Sequence, residues 1–145
     1  MTPLQIYLTD DDHEDRELFI EALRELPIET DITQFDNGVD LMADLFSDKE
    51  LPDAIFLDLY MPIMDGFECL ADIRNFSKFS DIQVIVFSSY YRKREINQLK
   101  LDGANQFLQK PTSFDQMKSL LYKSLRLIQS DSATTKGITN FIAIS

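Results

Sequence analysis

The 145-residue chain holds one cysteine, Cys69, so no disulfide can form within it. That excludes a small disulfide-stapled scaffold and suits a reducing compartment, so a cytoplasmic setting is expected. Basic charge is scarce: 14 Lys plus Arg stand against 25 Asp plus Glu, a net charge of −11. A nucleic-acid backbone would repel such a chain, so direct nucleic-acid binding is not expected. No apolar run approaches the roughly 18 residues of a membrane span, and Met1-Thr2-Pro3 does not open a basic-then-apolar leader, so no membrane association is expected. Internal repeats and low-complexity blocks are also lacking.

What is present reads as globular. Hydrophobic residues make up 44% of the chain and charged residues 27%, and a domain of this size hides roughly 68–70% of its unfolded surface. Apolar strands and helical periodicities alternate along it. Residues 5–9 form a short apolar strand that stops at Asp10-Asp11-Asp12, where Asp12 or His13 is placed to cap a helix over 13–26, ahead of Pro27. A strand over 32–35 leads into the turn Asp36-Asn37-Gly38 and a helix carrying Leu41, Met42, Leu45 and Phe46. Residues 54–59 are an apolar strand interrupted by Asp58, followed by the loop Met61-Pro62-Ile63-Met64-Asp65-Gly66 and a helix with Phe67, Leu70, Ile73 and Phe76.

Residues 83–87 are a further buried-type strand ending in Ser88-Ser89. The helix bearing Ile96, Leu99 and Leu101 stops at Gly103, where a left-handed residue is wanted. A last strand over Gln106–Gln109 closes at Lys110-Pro111, and Ser113 with Gln116 opens a final helix to about residue 127. Strands apolar on both faces, alternating with helices, predict an α/β fold: a parallel sheet covered on both sides. The expected domain is 1–129, and 130–145 is expected to be a polar linker and an apolar, strand-prone tail over 138–144.

In such sheets ligands bind beyond the carboxyl ends of the strands. Asp10 and Asp11, Asp58, Ser88 and Lys110 all fall there. One Asp at a strand end commonly just caps the next helix. Carboxylates gathered from separate strands repel each other unless a cation joins them, and oxygen-only ligands point to Mg²⁺, which keeps room for phosphate oxygens. Ser88 and Lys110 supply a donor and a positive charge for such a group, and a carboxylate can itself accept it as an acyl phosphate.

These residues resemble the receiver domains of two-component response regulators, including the stand-alone chemotaxis type, over about residues 5 to 129. Leu8-Thr9-Asp10-Asp11-Asp12 is similar to the acidic pair after the first strand, the run Asp58-Leu59-Tyr60-Met61-Pro62-Ile63-Met64-Asp65-Gly66 to the acceptor loop, and Lys110-Pro111 to the signature lysine with its usually cis proline. The resemblance implies a (βα)5 doubly wound five-stranded sheet of flavodoxin-like order 2-1-3-4-5. It implies Mg²⁺ held by Asp11 and Asp58, by Asp10 through water, and by the carbonyl of Tyr60. Asp58 would be the acceptor, Ser88 and Lys110 would bind the phosphoryl oxygens, and Ser88 and Phe107 would form the switch pair. Tyr60 and Tyr90 stand where the family's hydrolytic water passes, so a long-lived phosphoryl group is expected.

The chain is then expected to be no enzyme beyond self-catalysed phosphoryl acceptance and slow autodephosphorylation. Its expected partners are a histidine kinase or phosphotransfer protein, a downstream protein target, and a second copy in a phosphorylation-dependent homodimer meeting through the basic stretch Tyr90-Tyr91-Arg92-Lys93-Arg94. The alternative is a degenerate receiver serving as a scaffold. A flavin binder would need a Ser/Thr/Gly-rich loop after the first strand in place of Asp10-Asp11-Asp12, and an aspartyl-phosphate phosphatase would need an acid at Tyr60.

Overall fold

The computed structural model describes residues 2–134 and 142–144. Among these residues six strands and five helices follow one another as β1 Leu4–Thr9, α1 His13–Arg24, β2 Thr30–Phe35, α2 Gly38–Leu45, β3 Ala54–Leu57, α3 Gly66–Arg74, β4 Gln83–Ser88, α4 Lys93–Leu101, β5 Gln106–Gln109, α5 Phe114–Thr134 and β6 Ile142–Ile144, with a 3-10 turn at Ser77–Phe79 before β4. The strands form one parallel sheet in the order β2-β1-β3-β4-β5-β6. The expected five-strand order 2-1-3-4-5 is therefore present, and a sixth strand lies on its edge.

The two-residue side-chain period of a strand explains why the inner strands are apolar throughout. Ile55, Leu57, Val84 and Val86 join Leu41, Leu70, Leu99 and Phe107 in a core on the α2, α3 and α4 side. Their neighbours Phe56, Ile85 and Phe87 point the other way, against Phe19, Leu121 and Leu125 of α1 and α5. One expectation is corrected here: β2 alternates half-buried and exposed positions instead of being apolar on both faces. It pairs only with β1, and an edge strand needs just one covered face.

Side-chain caps start the first and last helices as anticipated, and two helices between them as well. The Asp12 carboxylate accepts the N–H of Asp15, Asn37 that of Asp40, and Asp65 and Glu68 form a reciprocal capping box. Ser113 accepts the N–H of Gln116 at 3.1 Å, and Gly103 has φ 99° after α4. Two further expectations change. No cis peptide occurs among the described residues, so Lys110–Pro111 is trans, the isomer an X–Pro bond intrinsically favours. Helix α5 continues to Thr134, beyond residue 127 and across 129, because no Pro or Gly breaks the chain before Gly137. Of the expected tail strand, residues 142–144 pair with β5, while 138–141 lie outside the described residues. No helix among the described residues is long and apolar enough to cross a membrane.

Gly66 shows how closely the loop after β3 is packed. Its N–H donates to the Leu59 carbonyl at 2.8 Å, and a Cβ added there would collide with the Asp58 carbonyl oxygen and sit 2.8 Å from the Leu59 Cα. Backbone cannot move aside as a side chain can. Gly66→Ala should therefore lower unfolding stability by about 3 kcal/mol, measured by urea denaturation.

Candidate functional site

The site forms where β1, β3, β4 and β5 end. Ladder hydrogen bonds run one residue past the strands: the Asp10 N–H donates to the Phe35 carbonyl at 3.1 Å and the Asp58 N–H to the Thr9 carbonyl at 3.0 Å. Both acids are thus held by sheet geometry, Asp10 at 2% exposure and Asp58 at 9%. The strand expected over 54–59 stops at Leu57, which leaves Asp58 at the first position beyond it. The Lys110 N–H donates to the Ser88 carbonyl at 2.9 Å, bringing the lysine across from β5.

One carboxylate oxygen each from Asp10, Asp11 and Asp58 lies within 4.8 Å of the others. Asp10 divides its oxygens, one accepting the Asp12 N–H at 2.9 Å and the other the Lys110 ammonium at 2.7 Å. Lys110 also reaches Asp58 at 3.6 Å. Tyr60, Ser88 and Tyr90 line the same open cavity of about 560 Å³. The Ser88 hydroxyl donates to the Tyr90 carbonyl at 2.8 Å. The Tyr60 and Tyr90 rings stand 5.8 Å apart, and the Tyr60 hydroxyl donates to Glu95 of α4 at 2.6 Å. Phe107 lies in the core beneath them, 2% exposed, its ring edge-on to Tyr91 at 5.0 Å.

Asp15 was not singled out from the sequence, where it reads as an ordinary first-turn acid. Its carboxylate accepts a hydrogen bond from Lys110 at 2.8 Å. The only sequence signal available was its place one helical turn past the acidic run, which many solvated helix starts share.

Charge is unbalanced at this rim. Burial, first, pushes the Asp58 carboxyl up to about 7; the Lys110 charge opposes this, and Asp10 and Asp11 add to it. Asp10 is also raised, again chiefly by burial and against the pull of Lys110. Burial works against the Lys110 charge, yet Asp58, Asp10 and Asp15 outweigh it and hold the ammonium above the usual lysine range. A crowded set of oxygen donors with too little positive charge fits a hard divalent cation such as Mg²⁺. Asp10, Asp11 and Asp58 offer it ligands, with Tyr60 beside them.

Comparison with known proteins agrees with this arrangement. The family model of the response regulator receiver domain matches residues 6–122. The two-component response regulator ARR6 of Arabidopsis thaliana is 30% identical, over 94% of this chain and 76% of its own. The transcriptional regulatory protein KdpE of Staphylococcus aureus is 31% identical, over 75% of this chain and 45% of its own, and the sensor histidine kinase CheAY of Helicobacter pylori 26% identical, over 81% and 14%. The chain thus spans under half the length of these last two. Among solved structures, the phosphorylated cyanobacterial phytochrome response regulator RcpA superposes with a TM-score of 0.80 at 26% identity, covering 92% of this chain and 98% of that one. This chain belongs to the response regulator receiver domain family.

The raised Asp58 carboxyl links stability to pH. The folded state keeps this proton up to about pH 7, whereas the ordinary value is 3.8. The stability it contributes is complete below pH 3.8 and is lost as pH rises through about 7. Without divalent cations, the urea midpoint of the protein should fall between pH 5 and about 8, and Asp58→Asn should flatten that fall.

Proposed function

We propose that this receiver domain is a phosphoryl-accepting switch of a phosphorelay, with Asp58 as acceptor. The observation that carries the reading is a buried Asp58 facing Lys110 at 3.6 Å, with Asp10 and Asp11 gathered beside it. A histidine kinase or phosphotransfer protein supplies the group as a phosphohistidine. An Asp58 carboxylate oxygen attacks phosphorus, a P–O bond forms, the P–N bond breaks, and the electron pair leaves on the imidazole nitrogen. Lys110 and the Ser88 hydroxyl bind the transferred oxygens. Asp11, Asp58, the Tyr60 carbonyl and, through water, Asp10 would hold Mg²⁺, which would supply positive charge to offset that of the phosphoryl group. No external substrate is turned over, and the setting is cytoplasmic.

The output follows from a competition for one hydroxyl. Ser88 now donates to the Tyr90 carbonyl; once it donates to a phosphoryl oxygen instead, the loop from Ser89 to Arg92 loses that tie. The loop leads straight into α4, whose exposed start carries Arg92, Lys93 and Arg94. In a chain of charge −11 this basic surface, with its tyrosines, suits an acidic face of a downstream protein or of a second copy in a phosphorylation-dependent homodimer.

Incubation with acetyl phosphate and Mg²⁺ should label the protein, EDTA should block labelling, and Asp58→Asn should take none. Undiminished labelling of that variant would remove the acceptor role. Mg²⁺ at 100 times its dissociation constant should add about 2.7 kcal/mol of stability. The paired rings of Tyr60 and Tyr90 crowd the approach of water to the acyl phosphate. Tyr60→Asn, which opens this space and offers an amide to orient water, should shorten the phosphoryl half-life by about threefold or more, read as decay of the phosphorylated species.

A further inference from the structure

The Lys110 ammonium has three N–H donors and no acceptor. Two of them are engaged, with Asp10 at 2.7 Å and with Asp15 at 2.8 Å. Both lengths are those of charge-assisted hydrogen bonds. The Asp58 oxygen at 3.6 Å is within ion-pair reach but too far for a hydrogen bond. A tetrahedral ammonium anchored at two corners has no free rotation left. Its remaining N–H is therefore fixed on the Asp58 side, uncommitted to any protein oxygen there.

Asp15 is itself held firmly. Its backbone N–H is bound by the Asp12 cap, and the next residue, Arg16, donates to the Asp10 carbonyl at 2.5 Å, tying the first turn of α1 to the end of β1. The neighbouring acids have other tasks: Asp11 belongs to the carboxylate cluster with Asp10 and Asp58, and the Asp12 carboxylate caps the helix. Below Lys110 lies the Phe87 ring, 5.7 Å away, which offers the ammonium no hydrogen-bond acceptor. Without Asp15 the ammonium would keep one anchor and could swing about it.

The geometry points to Asp15 as a positioning residue for phosphoryl transfer: with Asp10 it clamps Lys110 so that the third N–H is aimed at the place of an incoming phosphoryl oxygen on Asp58. This rests on the reading of Asp58 as phosphoryl acceptor. Asp15 touches neither the acceptor nor the phosphoryl group and acts only through Lys110.

The test is the rate of phosphoryl transfer from acetyl phosphate to the full chain at saturating Mg²⁺, followed by intact-mass spectrometry. The Asp58 oxygen forms the new P–O bond as the bond to the acetate oxygen breaks and acetate leaves with the electron pair. Asp15→Ala should be slower by about tenfold. Asp15→Asn keeps an acceptor oxygen at the same reach and should stay within about threefold of the wild type. Glu14→Ala removes a charge from the same helical turn and should leave the rate unchanged, separating the clamp from a helix-end charge effect. The Mg²⁺-induced rise in melting temperature should survive in Asp15→Ala. If circular dichroism shows that Asp15→Ala does not fold, Asp15→Gln, whose amide is displaced by one methylene, replaces it with the same expectation. A rate for Asp15→Ala equal to the wild type overturns the clamp while leaving the acceptor assignment intact. A faster rate also overturns it, since Asp15 would then be restraining Lys110. A wild type that takes no label on Asp58 overturns both.

Discussion

One ammonium group binds the functional end of this molecule together. Lys110 reaches Asp10 from β1, Asp15 from α1 and Asp58 from the end of β3. Three carboxylates in a partly buried rim would repel each other and resist desolvation, and a single lysine relieves only part of that. The remainder shows in the raised Asp58 and Asp10 carboxyls. The rim is thus left short of positive charge, a deficit that a divalent cation would offset.

The opposite end of the sheet shows what the protein does when nothing has to change. There Arg74, at the end of α3, is half-buried and donates to the carbonyls of Gly103, Phe79 and Ile82 and to the Asn105 side chain. Asn105 in turn accepts the Val84 N–H at 2.7 Å. One guanidinium thereby joins α3, the 3-10 turn, β4 and the entry to β5 through oxygens that carry no full charge. Both rims use a partly buried cation as a knot. Only at the Asp58 rim are its partners crowded carboxyl groups.

Short, specific ties join the acceptor rim to α4. Ser88 holds the Tyr90 carbonyl, Tyr60 holds Glu95, and Tyr91 packs edge-on against Phe107. All three connect the acceptor rim to the start of α4 and to the core below it. Phe107 has no hydroxyl, so here the aromatic contributes packing and no hydrogen bond. The backbone of β5 meanwhile carries β6 along its outer edge, so the sheet beside this region is extended by the chain's own tail.

Periodicity and strand-end chemistry carried most of the fold and site. The alternation of apolar strands with helical patterns was enough for a parallel sheet covered on both faces, because side-chain period is a local property that the core merely uses. Asp10, Asp11, Asp58, Ser88 and Lys110 were legible because each sits at the end of a strand, and parallel strands bring their ends to one rim. What the residues alone could not reveal depends on neighbours distant in the chain. The exposure of β2 follows from its place at the sheet edge, which local apolarity does not encode. The continuation of α5 to Thr134 and the pairing of residues 142–144 with β5 depend on where the tail finds a free backbone edge. The role of Asp15 was hidden for the same reason: its partner Lys110 is 95 residues away, and a hydrogen bond between two such side chains exists only once folding has set their distance.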